Sequence, residues 1–285
     1  MAVAAVRPTG VLRISIVSYA SDETRLGRAL HTLLAACARP LATGRLTAVD
    51  VLLVDNGPRD TERAKLDRLL AAAVAEAPPG VRMARIGDGS NVGFGGGHNQ
   101  AFGAGDCEFH LVLNPDVELA PEALAAALQF MDEQAGCGIL VPAIVDERGQ
   151  PQYLCKRYPS LLDLLLRGFA PGWLRARFER RLARYEMRDV IAGEPVWEPP
   201  IVSGCFMLLR APLLMQVQGF DTRYFLYFED FDLSLRAARH TRIAYVPSVR
   251  VVHHGGYAAS KGLRHILLFG RSLVTFFNTH GWRWL

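Results

Sequence analysis

The sequence predicts an α/β fold in which a mostly parallel, Rossmann-like sheet is covered by helices on both faces. Three observations carry this. Apolar β-branched runs alternate with stretches of helical periodicity through residue 145. Four successive strand ends turn polar, at the edge where ligands bind in such sheets. Half of the 285 residues are apolar and about a fifth are charged, enough for one large core or two small ones.

Taken in order, "VLRISIVSY" (11–19) alternates and then runs apolar, as a buried strand does. "DETRLGRALHTLLAAC" follows with Leu26, Leu30, Leu33 and Leu34 at helical spacing. "VDVLLVDNG" repeats the strand-to-loop transition, and "TERAKLDRLLAAAVAEA" is a second amphipathic helix closed by Pro78, Pro79 and Gly80. "VRMARI" is a third strand, followed by the Gly-rich loop "GDGSNVGFGGGHNQAFGAG" and the short strand "FHLVLN". Pro121 opens a helix in "PEALAAALQFMDEQ", and "GCGILVPAIV" is strand-like. Beyond residue 150 the pattern changes. Residues 160–188 are helical, broken near Pro171 and Gly172, and carry seven arginines. "PPIVSGCFMLLR" returns to strand, "APLLMQVQGF" is a short helix ending at Gly219, and "TRIAYVPSVRVVHHGG" holds two strands joined around Pro247 and Ser248. Residues 262–285 read as an amphipathic helix. No repeat or linker divides the chain, so it reads as one domain over 1–285 whose second half forms a subdomain.

The net charge of +4 is too mild to argue for nucleic acid as a partner. Five cysteines, odd in number and without CxxC spacing, point to a reducing compartment rather than a disulfide framework or a zinc site. "MAVAAVRPTG" lacks the regions of a signal peptide, and no run reaches the ~18 apolar residues of a spanning helix. The expected location is the cytoplasm, or at most a peripheral attachment to the inner face of the cytoplasmic membrane. For the Arg-rich segment and the C-terminal helix, a basic surface touching anionic lipid or acceptor stands beside a solvated face over a core.

Four stretches could carry chemistry. The Gly-rich loop brings dinucleotide binding to mind, but that fingerprint follows the first strand of its unit and this one follows the third. "LVLNPDVEL" sets Asn114 and Asp116 two apart after a strand, a pattern that suits a divalent ion with one carboxylate or, alone, a simple turn. His253 and His254 end a strand and should point to opposite faces, so they cannot readily share a metal. "YFLYFEDFDLSLR" (224–236) places Glu229, Asp230 and Asp232 among aromatic residues. There Asp230 is either the N-cap of a helix starting near Phe231 or a base whose cost of burial serves chemistry.

In sequence order, "SIVSY", "VLLVDNG", "NVGFGGGHNQAF", "LVLNPDVEL", "VSGCFMLLR", "GFDTRYFLYFEDFDLSLR" and "VVHHGG" resemble the inverting, GT-A-fold family 2 glycosyltransferases, especially the rhamnosyltransferase-like branch. The resemblance runs over residues 11–278. It implies a nucleotide-sugar-binding half over 11–150 and an acceptor-binding, catalytic half over 151–285. Ser18, Tyr19, Asp55 and Asn56 match the positions that meet the nucleotide, Asp55 being the acid that reads the pyrimidine. Asn91, Gly93, Gly97 and Asn99 match a loop near ribose and diphosphate. Asn114 and Asp116 fall on the first and last positions of the family's Asp-x-Asp motif, with Asp116 on the metal. His253 matches the late histidine of the metal site, and His254 stays open beside it. Asp230 matches the general base, and Ser203, Gly204, Tyr227, Phe228 and Glu229 fall on the acceptor side. "SYAS" and "DNGPRD", with Pro58 stiffening the turn, depart from the commoner forms of their motifs.

The implied reaction uses Mg²⁺ or Mn²⁺ and moves a sugar, L-rhamnose from dTDP-L-rhamnose, onto a saccharide or lipid-linked acceptor in bacterial surface polysaccharide or lipopolysaccharide synthesis. Galactofuranosyl, glucosyl and N-acetylglucosaminyl transferases share these motifs. A nucleotide-sugar-binding protein without catalysis and an NAD-dependent oxidoreductase are the rival classes.

Overall fold

A computed structural model describes residues 9–57, 60–103, 105–255 and 262–285; Pro58 and the residues before Thr9 lie outside it. The parallel part of the sheet is built from β1 (Val11–Ser18), β2 (Ala48–Asp55), β3 (Val81–Ile86) and β4 (Phe109–Leu113), in the order β3-β2-β1-β4. β1 and β4 are buried along almost their whole length because both faces of the sheet are covered there, whereas the edge strand β3 is only partly buried. The sheet then turns mixed. The order continues through β8 (Phe206–Arg210), β6 (Cys137–Val145), β9 (Arg242–His253) and β5 (Val117–Leu119), with β7 (Val196–Trp197) on β9. One nine-stranded sheet therefore spans both halves of the chain.

Helices α1 (Glu23–Ala42), α2 (Asp60–Glu76) and α4 (Ala123–Glu133) lie over the largest core, formed with Leu12, Ile14, Val51, Leu111 and Phe206. Asp22 caps α1 by accepting from the Arg25 N–H, and Leu26, Leu30, Leu33 and Leu34 are buried at the predicted spacing. A second core holds Phe220, Leu213, Leu233 and Ala237 of α8 (Ala211–Val217), α9 (Glu229–Ala237) and their connection. A third lies between α5 (Leu161–Phe169), α7 (Glu179–Tyr185) and α10 (Leu263–His280), around Tyr224, Phe228, Phe276 and Phe277, and α6 (Gly172–Arg177) has no buried residue. The predicted break at Pro171 and Gly172 falls between α5 and α6.

Three local expectations change. Most of the Gly-rich stretch is a helix, α3 (Gly93–Phe102), not a loop. Its glycines serve close packing: a Cβ on Gly95 would stand 2.7 Å from Phe220, and one on Gly97 2.8 Å from Val17. Residues 242–253 form one strand rather than two, because Pro247 sits in a register irregularity where a missing N–H costs no ladder bond. Helix α9 starts at Glu229, so Asp230 lies in its first turn and Phe228, with φ +66°, precedes it. Asp230 is not the N-cap.

Candidate active site

The predicted residues gather along the carboxyl edge of the parallel strands because β1, β2 and β4 end there. Ser18 and Asp55 are register partners, both buried, and the Asn56 N–H donates to the Ser18 carbonyl at 3.0 Å. Tyr19 is exposed at the rim. The Asp55 carboxylate accepts from the Gly57 N–H at 3.2 Å and faces Arg63 and Arg85, each at 3.5 Å. The sequence reading missed both arginines.

Asn56, Asn91 and Gly93 form a lattice. Asn56 Nδ2 donates to Asn91 Oδ1 (3.2 Å) and to the Gly93 carbonyl (3.1 Å), while Asn56 Oδ1 accepts from the Val92 N–H at 3.0 Å. Gly93 has φ +81°, and a Cβ there would fall 2.2 Å from the Phe225 carbonyl oxygen, so the start of α3 is pressed against the loop leading to α9. Gly97 packs on Val17. Asn99 spends its amide on the backbone of Phe220, donating at 2.8 Å and accepting at 2.9 Å. Expected near ribose and diphosphate, Gly97 and Asn99 instead join α3 to its neighbours.

The second half supplies the reactive groups. Pairing of β4 with β8 brings the Ser203–Cys205 backbone beside the Asn114 turn, whose N–H donates to the Cys205 carbonyl at 2.9 Å. One residue earlier, the Gly204 N–H donates to Asp230 Oδ2 at 3.0 Å. Asp230 and the turn that carries Asp116 are thus tied to adjacent residues of one strand entrance. Burial, opposed by backbone hydrogen bonds from Gly204 and Phe231, raises the Asp230 pKa to about 6. Glu229 is buried, with one carboxylate oxygen unpartnered; burial and then the Asp230 charge hold it well above the usual carboxyl range. Tyr227 and Phe228 both have positive φ, +70° and +66°, a conformation costing about 1–3 kcal/mol each that only surrounding packing sustains. The Tyr227 hydroxyl meets His265 Nδ1 at 2.8 Å. Phe228, expected on the acceptor side, is buried against Phe231, Phe269 and Phe276 and belongs to the third core. Its apolar ring anchors the loop. Ser203 Oγ accepts from the Cys205 N–H at 3.4 Å, and a small cavity of about 30 Å³ lies beside Ser203 and Gln152.

The two neighbouring histidines part as strand geometry requires. His253 Nε2 lies 3.6 Å from Asp116 Oδ1, and its Nδ1 meets Gln152 Oε1 at 2.9 Å while Gln152 Nε2 donates to the His253 carbonyl at 3.0 Å. Gln152 therefore fixes the ring with Nε2 toward Asp116, an orienting role no signal in the sequence announced. His254 turns away: its ring nitrogens lie 2.8 Å from Glu118 and 2.7 Å from Glu147. Its backbone N–H donates to the Asp116 carbonyl at 3.0 Å, while its ring lies beside Glu118 and Glu147 rather than at the Asp116 carboxylate.

Among the described residues no three His, Cys, Asp or Glu side chains form a closed metal cage. Asp116 and His253 nonetheless fit a divalent ion that completes its shell with substrate oxygens. Asn114 Oδ1 is buried without a hydrogen-bond partner, and a Cβ on Gly255 would stand 2.4 Å from His253 Nε2 and 3.3 Å from Asp116 Oδ2. A carboxylate, an imidazole and an amide oxygen suit Mn²⁺ or Mg²⁺.

Residues 8–265 match the family described as Glycosyltransferase like family 2. An N-acetylglucosaminyl-diphospho-decaprenol L-rhamnosyltransferase of Mycobacterium tuberculosis is 32% identical over 273 residues, covering 89% of this chain and 79% of that protein. Rhamnosyltransferase WbbL of Escherichia coli K12 is 26% identical over 175 residues, covering 56% of this chain and 61% of that protein. Among solved structures, a mannosyltransferase from Pyrobaculum calidifontis in complex with GDP-Man and Mn²⁺ superposes with a TM-score of 0.59 at 17% identity. The superposition covers 96% of this chain and 65% of that one, so this chain spans just under two thirds of its length.

Proposed function

The chain belongs to glycosyltransferase family 2, with the GT-A fold, and we propose that it is an inverting transferase that takes L-rhamnose from dTDP-L-rhamnose with the help of Mg²⁺ or Mn²⁺. The acceptor in this reading is a saccharide or lipid-linked saccharide of bacterial surface polysaccharide or lipopolysaccharide, met at the inner face of the cytoplasmic membrane. Both halves act as one catalytic domain. The observation that carries the reading is the convergence of Asp230 and the Asn114–Asp116 turn on Gly204 and Cys205. The names of the relatives support the sugar, and that of the mycobacterial relative supports a lipid-linked acceptor.

Asp230 accepts the proton of the acceptor hydroxyl as the oxygen attacks the anomeric carbon; a positioned base contributes roughly 10²–10⁴-fold. With a pKa of about 6 it is mostly ionised at neutral pH and basic enough to take the proton. Asp116, His253 and Asn114 would hold the ion, which when bound neutralises charge developing on the leaving diphosphate. Ser18, Asp55 and the Asn91 turn line the nucleotide end. Glu229, protonated, offers a hydrogen bond on the acceptor side beside Ser203, Gly204 and Tyr227.

Purified protein incubated with a panel of sugar nucleotides and either metal should release nucleoside diphosphate fastest from dTDP-L-rhamnose. Failure of every donor, in the presence of a decaprenyl-diphosphate-type acceptor, would refute the assignment.

A further inference from the structure

Helix α10 walls the loop that leads into α9 and Asp230, and its two faces differ in kind. The inner face holds the loop: Ser272 Oγ donates to the Leu226 carbonyl at 2.8 Å, His280 Nε2 meets Asp232 Oδ1 at 2.8 Å, and Phe276 packs on Phe228. The outer face is apolar and uncovered among the described residues. Leu263, Ile266, Leu267 and Val274 share one side of the helix and are all exposed. The exposed ring of Phe169, in α5, lies against Phe269 and extends this surface toward the exposed Trp173. Ten of the fifteen exposed large apolar side chains among the described residues belong to α5, α6, α10 and the segment after it. Single exposed apolar residues need no account, but such a concentration does.

The surroundings are basic. Arg175, Arg177, Arg180, Arg264 and Arg271 are exposed, and none lies within ion-pair distance of a carboxylate among the described residues. Arg157, Arg167, Arg181 and Arg188 of the same region are all paired. A second copy of this chain would bring arginines against arginines across a two-fold axis. Anionic lipid headgroups complement both the arginines and the apolar face. No described helix is long and apolar enough to cross a membrane.

We infer that α10, α5 and α6 dock the protein on an anionic bilayer, with the apolar face in the headgroup boundary. Trp173 and Trp284 lie at the interfacial depth tryptophan favours, and the arginines lie on headgroups. Docking itself stands without the transferase reading; that it offers a membrane-held acceptor to Asp230 across α10 rests on that reading.

The whole protein should float with vesicles of phosphatidylcholine and phosphatidylglycerol but not with phosphatidylcholine alone, and added salt should weaken the binding. R175Q/R177Q/R180Q should weaken it about a hundredfold, since each arginine near an anionic surface contributes about fivefold. W173A/L267A should weaken it at least about tenfold. Both variants should keep the parent melting temperature and the parent turnover of a water-soluble acceptor. Absence of vesicle binding, equal binding by the variants, or a stable dimer that vesicles do not dissociate would overturn the inference. If vesicle binding is absent while turnover is intact, docking alone fails. If vesicles are bound and no donor is turned over, the transferase reading alone fails.

Discussion

Lowering the pH from 7 to 5 should cut kcat/KM about tenfold, with a midpoint near 6. The perturbation acts on Asp230, whose pKa of about 6 reflects burial opposed by the N–H groups of Gly204 and Phe231. At that pKa about 90% of the carboxyl is ionised at pH 7 and about 10% at pH 5, and only the ionised form accepts the acceptor proton. The assay is initial-rate release of nucleoside diphosphate at low substrate, where kcat/KM reports the free enzyme, with circular dichroism at each pH to exclude unfolding. D230N should lose roughly 10²–10⁴-fold in turnover while holding the donor as before. E229Q provides the internal check. Because Glu229 is held protonated well above the usual range, its replacement should leave the midpoint within about half a unit. A flat profile between pH 7 and 5, or retention of turnover by D230N, would refute Asp230 as base. A fall in the E229Q midpoint by about a unit would instead show that Glu229 is charged.

Q152L removes the acceptor that orients His253 and should weaken Mn²⁺-supported binding of the donor about 10–100-fold in a calorimetric titration, with melting little changed. G255A should do the same through a Cβ 2.4 Å from His253 Nε2; unchanged affinity would remove Gly255 from the metal cradle. G93A should lower the urea midpoint, the strained backbone alone costing about 1 kcal/mol or more, because φ is +81° and its Cβ would meet the Phe225 carbonyl. Acid should destabilise the fold through buried histidines that share Ser15: His98 Nδ1 and His110 Nε2 lie 2.7 and 2.8 Å from its hydroxyl. Burial lowers the His98 pKa to about 3, so the unfolded chain takes up its proton near pH 6.5 while the folded chain does not. Stability is therefore full above about pH 6.5 and falls toward pH 3, by up to about 1.4 kcal/mol per unit for this group; chemical denaturation at pH 7, 5.5 and 4.5 measures it.

Legible in the residues alone were the alternation of strands and helices, the polar ends of β1, β2 and β4, and the interest of Asp116, Asp230 and His253. Those signals are local: two-residue and 3.6-residue periods and short motifs survive without knowledge of neighbours. Strands β5 and β7, three and two residues long, show no period and went unread. Which neighbours each residue meets emerged only from the folded chain. The glycines of α3 look like a ligand loop until Val17 and Phe220 are found where their side chains would be. Asn99 looks like a ligand contact until Phe220 takes its amide, and Phe228 looks like a pocket wall until α10 covers it. Gln152 gained its role only when β9 brought His253 beside it, 101 residues along the chain. Helical and strand periods state which face is apolar, but a hydrogen bond is satisfied by whichever partner the fold delivers, and no local pattern encodes that partner.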